Sequence, residues 1–315
     1  MKRIILDTDI GIDDALALIL ALKSDELRLE AVTTVSGNVS VKQCTRNALK
    51  MLELMGREEI PVAEGASKPL MRELHIAEFV HGRDGLGDSN FPEPKNEAVN
   101  KEAADLIIGK VARDPGDIIL VPIGPLTNIA HAIKREPDFV NWVKEIVLMG
   151  GAYGVTPHGI GNATPGAEYN IYTDPEAAKI VFESKAKITA IGLDVTTDPK
   201  AMLTQNGFVK LLNAQTREAE IIVRIMEKRM KARRPIAVHD AMAVAYLIWP
   251  DLFKVKKYRV DVETIGEFTT GQTVTDKRPR IYRGISEFRE PNVYLCTNVE
   301  GSRFIDLLID RLIEK

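Results

Sequence analysis

The stretch Ile4-Ile5-Leu6-Asp7-Thr8-Asp9-Ile10-Gly11-Ile12-Asp13-Asp14 indicates both the fold and the position of a site. Its apolar start is typical of a buried β-strand that ends at Asp7, and the apolar run 15–22 that follows predicts a helix. Four carboxylates thus fall within eight residues, where the first strand should end. Ligands of open α/β sheets bind beyond the carboxyl ends of the strands, so we expect this segment to form part of a site.

Short apolar runs and helical patterns alternate along the rest of the chain. The strand candidates are 29–35, 118–122, 146–149 and 188–193, and the helix candidates are 41–55, a helix from 127, 175–183 and an amphipathic helix over 304–313. This alternation predicts an α/β fold with a mainly parallel central sheet flanked by helices. No linker-like run or internal repeat interrupts residues 1–315, which predicts a single domain. Segments 64–100 and 150–174 carry little regular pattern and are expected to be functional loops or disordered segments.

The composition argues against several classes of protein. The 315 residues carry 42 basic and 45 acidic side chains, so no basic surplus is present to neutralise nucleic-acid phosphates. No window approaches the roughly 20 apolar residues that span a bilayer. The N-terminus lacks a long apolar stretch, and we therefore expect a cytoplasmic protein that binds neither nucleic acid nor membrane. The two cysteines, Cys44 and Cys296, are expected to be buried thiols in a reducing compartment.

The aspartate cluster indicates a metal site. Carboxylates so crowded raise one another's pKa unless a cation neutralises them. Oxygen ligands without clustered Cys or His favour Ca²⁺ or Mg²⁺ over zinc. An alternative is that Asp13 and Asp14 only stabilise a helix N-terminus, where negative charge is favourable. That alternative does not account for Asp7 and Asp9.

Two distant motifs are chemically suggestive but ambiguous when taken alone. The segment Val238-His239-Asp240-Ala241 precedes an apolar helical stretch, and an Asp after a core His is also a common start of a helix. The segment Asn162-Ala163-Thr164-Pro165-Gly166-Ala167-Glu168-Tyr169-Asn170 is dense in amide and carboxylate groups. Such groups suit a polyhydroxyl ligand such as a sugar, although a solvated turn has the same composition.

Together these segments resemble the nucleoside hydrolase family, the inosine–uridine-preferring N-ribohydrolases. The resemblance covers essentially all 315 residues. In order along the chain, the matching motifs are Asp7–Asp14, Thr33-Thr34-Val35-Ser36-Gly37-Asn38, Pro122-Ile123-Gly124-Pro125-Leu126-Thr127-Asn128, Met149-Gly150-Gly151, Glu168-Tyr169-Asn170 and His239-Asp240.

The resemblance implies hydrolysis of the N-glycosidic bond of ribonucleosides to free base and ribose. A calcium-bound water would be activated by Asp9 as general base, and His239 would be a candidate proton donor to the leaving base. The implied Ca²⁺ ligands are Asp9, Asp14, Asp240 and the main-chain carbonyl of Ile123. The implied ribose-binding residues are Asp13, Asn38, Asn162, Glu168 and Asn170, with Met149 near the sugar and His81 near the base. Asp7 is expected to support the site from behind.

The base pocket departs from the family pattern. Some relatives place aromatic side chains before the last ligand aspartate, whereas segment 227–235 of this chain is strongly basic, as is typical of a solvated helix end. Trp142 and Trp249 do not fall at the pocket positions of the purine-specific branch. We therefore expect a pyrimidine-preferring or broad enzyme of nucleoside salvage. By resemblance alone, it is expected to be a homodimer or homotetramer.

Two other functions remain open at this point. A haloacid-dehalogenase-like phosphatase also begins with a strand followed by Asp-x-Asp, and would use Asp7 as nucleophile with Mg²⁺. That function leaves Glu168 and Asn170 unused. A non-catalytic nucleoside- or calcium-binding protein is the second alternative, although every group proposed for catalysis is present.

Overall fold

A nine-stranded β-sheet forms the centre of the computed structural model, which describes residues 1–232, 234–279 and 289–314. The strands are β1 (Lys2–Thr8), β2 (Leu27–Thr34), β3 (Val62–Glu64), β4 (Ile118–Pro122), β5 (Glu145–Met149), β6 (Ile188–Ile191), β7 (Met202–Leu203), β8 (Ile236–Ala237), β9 (Phe253–Val262), β10 (Thr273–Asp276) and β11 (Val293–Val299). Strands β7 and β8 form a separate antiparallel pair.

Thirteen α-helices lie in the described ranges. They are α1 (Ile12–Leu22), α2 (Val41–Met55), α3 (Glu78–His81), α4 (Ala103–Arg113), α5 (Thr127–Arg135), α6 (Phe139–Trp142), α7 (Tyr169–Thr173), α8 (Pro175–Glu183), α9 (Leu193–Thr196), α10 (Gln205–Asn213), α11 (Arg217–Met230), α12 (His239–Ile248) and α13 (Gly301–Ile313). None of the helices in these ranges is long and apolar enough to cross a membrane.

The order of the sheet is β10-β9-β11-β6-β5-β4-β1-β2-β3. All pairings from β11 to β3 are parallel, whereas β9 runs antiparallel to both of its neighbours. Strands β2 and β3 are added in sequence on one side of β1, whereas β4 pairs with β1 on its other side. The crevice between β1 and β4 is therefore the topological switch point, where open α/β sheets bind their ligands.

Helices cover both faces of the sheet, because successive side chains of a strand point to opposite faces. On β1, Ile4 and Leu6 belong to one hydrophobic core and Ile5 belongs to the other. The first core contains α1, α2, α10, α11, α12 and α13, and we call these helices the α1 layer. The second contains α4, α5, α6 and α8, with Ile171 of α7, and we call these the α5 layer.

The predicted α/β architecture with a mainly parallel sheet flanked by helices is confirmed. Helices α2 and α8 and strand β4 begin and end at the predicted residues. The strand predicted over 188–193 is two residues too long, because Gly192 turns the chain and Leu193 begins α9. The two long segments are largely irregular, as expected, but contain the short helices α3 and α7.

Candidate active site

Residues from several parallel strands meet at the switch point. Asp9 follows β1, Asn38 follows β2, Ile123 follows β4, and Met149 ends β5. Helices α1 and α12 add their first-turn residues, Asp13, Asp14, His239 and Asp240. The carboxyl edge of the sheet therefore collects side chains that are more than 200 residues apart in sequence.

A cavity of about 170 Å³ lies at this edge, and we call it the catalytic cavity. The predicted site residues that line it are Asp9, Asp13, Asn38, His81, Ile123, Met149, Asn162, Glu168, Asn170, His239 and Asp240. Ala77, Phe79, Val80 and Tyr169 complete the lining. Asp14 is the one predicted site residue outside it, buried against the carboxyl groups of Asp9 and Asp13.

The carboxylate of Asp9 is fixed at one oxygen and open at the other. Its Oδ2 accepts a hydrogen bond of 2.7 Å from the backbone N–H of Asn38. Its Oδ1 is buried without a hydrogen-bond partner among the described residues. Burial, reinforced by the carboxyl group of Asp14, raises the pKa of Asp9. An unpartnered oxygen at a cavity wall has an open lone pair for a proton or a cation.

Asp14 is held by three donors. Its Oδ1 accepts from the Thr8 hydroxyl at 2.6 Å, and its Oδ2 accepts from the backbone N–H of Gly11 at 2.9 Å and from Nδ2 of Asn38 at 3.1 Å. Burial raises the pKa of Asp14 to about 6, and Asp13 adds to the effect, although these hydrogen bonds oppose it. The side chain is therefore oriented by the protein before any ligand arrives.

Three carboxyl groups form a compact acidic cluster. Carboxylate oxygens of Asp13, Asp14 and Asp240 lie within 4.8 Å of one another, and all three residues are buried. Burial and the surrounding carboxyl groups raise the pKa of Asp240. Oxygen donors at this spacing suit a hard divalent cation, whose charge would relieve the repulsion. The cluster therefore fits a metal ion, and Asp9 lines the same cavity as Asp13 and Asp240.

Asp7 lies behind the cavity, as expected for a supporting residue. Its Oδ1 accepts hydrogen bonds from the Thr33 hydroxyl at 2.5 Å and from Nδ2 of Asn128 at 2.8 Å. Burial raises the pKa of Asp7 to about 7. These bonds connect the end of β1 to the end of β2 and to the first turn of α5. The side chain does not line the catalytic cavity.

The opposite wall is built around the start of α7. The Glu168 carboxylate accepts hydrogen bonds from the backbone N–H groups of Gly151, Asn170 and Ile171 at 2.9, 2.9 and 3.1 Å. Burial raises the pKa of Glu168, although these three bonds oppose the rise. Nδ2 of Asn170 donates to the carbonyl of Ile123 at 3.0 Å. Glu168 thus fixes the backbone that carries Asn170, and both side chains face the cavity.

Asn162 and Met149 are held by hydrogen bonds to the wall of the catalytic cavity at the start of α7. Oδ1 of Asn162 accepts a hydrogen bond of 2.9 Å from the backbone N–H of Tyr169. The carbonyl of Met149 is 3.2 Å from Nδ2 of Asn170. The structure therefore brings together all of the predicted ribose-binding residues, while their individual roles stay predictions.

Two histidines face the acidic cluster. Nδ1 of His81 accepts a hydrogen bond of 3.0 Å from the backbone N–H of Ile12, so the loop that carries His81 is joined to the start of α1. Nδ1 of His239 is 2.8 Å from the Thr196 hydroxyl. Burial lowers the pKa of both imidazoles, although Asp13 opposes the shift. Burial therefore favours the neutral form of each imidazole.

Arg229 is a site neighbour that sequence reasoning missed. Segment 227–235 was interpreted as a solvated helix end, and Lys228 and Lys231 indeed form exposed ion pairs. Arg229 is half-buried and has no ion pair among the described residues, and its charge contributes to the lowered pKa of both histidines. The helical spacing could have predicted the partial burial of Arg229, because position 229 lies on the apolar face of α11. Arg233 of this segment lies outside the described residues.

Comparisons with known proteins agree with this geometry. A family model described as inosine-uridine preferring nucleoside hydrolase matches residues 4–306. Uridine nucleosidase 1 of Arabidopsis thaliana is 40% identical over 290 residues, covering 90% of this chain and 84% of the relative. The pyrimidine-specific ribonucleoside hydrolase RihA of Enterobacter sp. (strain 638) is 40% identical over 98% of this chain and 97% of its own. A solved plant nucleoside hydrolase, the PpNRh1 enzyme, superposes with a TM-score of 0.92 at 35% identity, covering 100% of this chain and 99% of that one. The chain belongs to the inosine-uridine preferring nucleoside hydrolase family.

Proposed function

We propose that the protein hydrolyses ribonucleosides to free base and ribose, with Asp9 as the general base. We further propose that it either prefers pyrimidine bases or has a broad base specificity. The observation that carries the proposal is that Asp9, whose Oδ1 has no hydrogen-bond partner among the described residues, lines one cavity together with carboxylates of the acidic cluster, a ribose-suited wall and two histidines. The names of the pyrimidine-specific and uridine-hydrolysing relatives support the base preference.

Different residues of the chain have different roles in N-glycoside cleavage. Asp9 accepts the proton of the attacking water at Oδ1, and such general-base help is worth about 10²–10⁴-fold. Asp13, Asn38 and the Glu168–Asn170 wall bind ribose hydroxyls while the sugar gains oxocarbenium character. His239 is the candidate general acid, whose imidazolium form would transfer a ring proton to the leaving base and become a neutral imidazole, and His81 contacts that base. Arg229 supplies positive charge at this end, where negative charge develops on the base.

A Ca²⁺ ion is proposed to bind at the acidic cluster, with Asp9, Asp14, Asp240 and the carbonyl of Ile123 as its ligands. When bound, the ion would orient water and ribose hydroxyls and would neutralise the buried carboxylates. Carboxylate and carbonyl oxygens are the ligand types that Ca²⁺ prefers, and its flexible coordination leaves room for substrate oxygens.

Substitution of Asp9 tests the proposal. Purified protein with added Ca²⁺ is expected to release free base from uridine, cytidine, inosine or adenosine, ranked by kcat/KM. Asp9→Asn should lower kcat by 10² or more, whereas the exposed control Asp251→Asn should leave it unchanged. Release of phosphate from phosphomonoesters without base release would favour the phosphatase instead. Nucleoside binding that never leads to base release would favour the binding protein.

Removal of the metal is a separate test. Treatment with EGTA should abolish base release, and added Ca²⁺ should restore it better than Mg²⁺ does. Full activity after chelation would contradict the calcium proposal and leave the hydrolase proposal in place.

We further propose that the protein acts in the cytoplasm in nucleoside salvage, without nucleic-acid or membrane partners, and that it forms a homodimer or homotetramer. Sedimentation of the full chain measures the assembly.

A further inference from the structure

A second cavity of about 340 Å³ adjoins the catalytic cavity. The two share Phe79, Asn162 and Tyr169 as lining residues, so they meet along one wall. The residues that line only the second cavity are Arg72, Glu73, His75, Ile76, Ala163, Tyr172 and Thr173. We call it the α7 cavity. None of the groups assigned to base or metal lines it.

The layers of the fold place the α7 cavity opposite the leaving base. His239 begins α12, His81 contacts the start of α1, and Arg229 lies on α11, so the base-facing groups belong to the α1 layer. The α7 cavity lies over α7, whose Ile171 packs in the core of the α5 layer. The acidic cluster begins α1 and α12, whereas Glu168 and Asn170 lie at the start of α7, so the ribose site reaches from the α1 layer to α7. A nucleoside with its base at the histidines therefore directs its sugar toward α7.

The ribose carbon that can project farthest from the base is C5′. The 2′ hydroxyl is the ribose hydroxyl nearest C1′, and the 2′ and 3′ hydroxyls are the ones that the metal site would hold beside the attacking water. Asn162, at the boundary of the two cavities, then lies on the C5′ side. A group attached to C5′ would pass Asn162 and enter the α7 cavity.

We propose that the α7 cavity is a subsite for an uncharged, apolar substituent on C5′, and that the enzyme hydrolyses 5′-alkylthio ribonucleosides. The proposal rests on the proposed function, since it assumes that a nucleoside occupies the catalytic cavity. The reaction is the same hydrolysis: water adds its oxygen to C1′, the C1′–N bond breaks, and the base leaves with one proton. The alkylthio group stays on the sugar and no redox partner is needed.

The lining of the α7 cavity favours an apolar substituent over a phosphate. The guanidinium of Arg72 is bonded to both carboxylate oxygens of Glu176, at 2.9 and 2.7 Å, and to the carbonyl of Thr264 at 2.6 Å. Its charge is thus already compensated, and the carboxylate of Glu73 adds repulsion for an anion. The side chains of Ile76 and Phe79 are 41% and 90% exposed and offer apolar surface for a substituent to cover.

A substrate series on the full-length, calcium-loaded protein tests the proposal. Uracil release is measured from uridine, 5′-deoxyuridine, and the methylthio, ethylthio and propylthio derivatives of 5′-deoxyuridine. We expect kcat/KM to rise about fourfold per buried methylene along the thioether series, since burial of each methylene favours binding by roughly 0.8 kcal/mol. A flat or falling series would overturn the proposal. Faster hydrolysis of uridine 5′-monophosphate than of the thioethers would overturn it too, because the cavity would then prefer an anion.

Uridine in the same assay separates this inference from the proposed function. Uracil release from uridine with a flat thioether series refutes only the α7 subsite, whereas no release from any nucleoside refutes the hydrolase itself. A blocking variant adds a second measurement. Ile76→Trp should lower kcat/KM for the propylthio substrate at least tenfold and leave uridine within about twofold. Val209→Trp, on α10 and equally exposed at 41%, is the matched control and should change neither value. Equal turnover of the propylthio substrate by both variants would count against the subsite.

Discussion

Two glycines enclose the carboxylate of Asp9, and adding one methyl group to either should displace it. A Cβ atom at Gly37 would stand 2.1 Å from Oδ2 of Asp9, and one at Gly124 would stand 2.7 Å from Oδ1. Neither glycine has a positive φ, so alanine is compatible with the backbone at both positions. The substitutions Gly37→Ala and Gly124→Ala therefore act mainly through the contact with Asp9.

The two contacts predict a graded loss of activity. Ordinary contacts of a Cβ atom begin near 3.4 Å, so Asp9 must withdraw by about 1.3 Å in Gly37→Ala and about 0.7 Å in Gly124→Ala. A misplacement of about 1 Å can cost 10²-fold in rate. We expect kcat to fall by about 10² or more in Gly37→Ala and by about tenfold in Gly124→Ala. Loss of the 2.7 Å hydrogen bond between Asp9 and the Asn38 amide should add to the first effect.

The assay is uracil release from uridine with Ca²⁺, together with urea unfolding of each variant. Gly109→Ala is the control, because a Cβ there meets only the flexible end of Lys101 at 3.3 Å. This control should retain full kcat and gain about 0.5–1 kcal/mol in free energy of unfolding, since alanine is the better helix former. A folded Gly37→Ala variant with kcat within threefold of the parent would refute the role given to the position of Asp9.

Three further predictions concern groups around the site and the edge of the sheet. Glu168→Gln should lower the free energy of unfolding by about 1–3 kcal/mol, because the amide cannot accept all three backbone N–H groups; unchanged urea unfolding would contradict this. Arg229→Gln should lower kcat for uridine about tenfold, or about 1.4 kcal/mol, with little change in KM, whereas Lys231→Gln should have no effect; an effect on KM alone would contradict a role in stabilising the leaving base. The hydrogen bond from Arg3 lowers the pKa of Glu30, so Glu30→Gln should cost about 1–3 kcal/mol at pH 7. That difference should decline as the pH falls toward the lowered pKa of Glu30 and should disappear below it, where the carboxylate of the parent is protonated. A difference that does not decline as the pH is lowered would contradict the electrostatic origin.

The sequence was sufficient for those parts of the fold that short-range pattern controls. Helix α2 has a serine cap at Ser40 and a left-handed glycine at Gly56, and both of its ends were predicted correctly. The pairing of strand β9 with β11 was not predicted, because it joins residues more than 30 positions apart and does not depend on alternation alone. The end of β6 was misjudged because apolar residues continue into α9, where only the turn at Gly192 separates strand from helix.

The site could be predicted as a set of residues but not as an arrangement. Motif order identified the groups that meet, yet sequence could not show that carboxylate oxygens of Asp13, Asp14 and Asp240 lie within 4.8 Å of one another. Nor could it show Arg229 near the histidines, since the half-burial of this side chain depends on how its helix packs. The α7 cavity depends on two loops whose side-chain positions have no periodic signal.

The raised pKa values of the buried carboxyl groups explain why uncharged hydrogen-bond donors surround them. Burial disfavours the charged forms of Asp7, Asp9 and Asp14, so in the absence of a cation the folded state is destabilised near neutral pH. Hydroxyl and amide donors, from residues such as Thr8 and Asn38, oppose that effect without adding positive charge. A lysine or arginine in their place would stabilise the carboxylates and also compete with a divalent ion for them. The acidic cluster is therefore oriented but not neutralised, and a cation that binds it recovers stability that burial of the carboxylates removed.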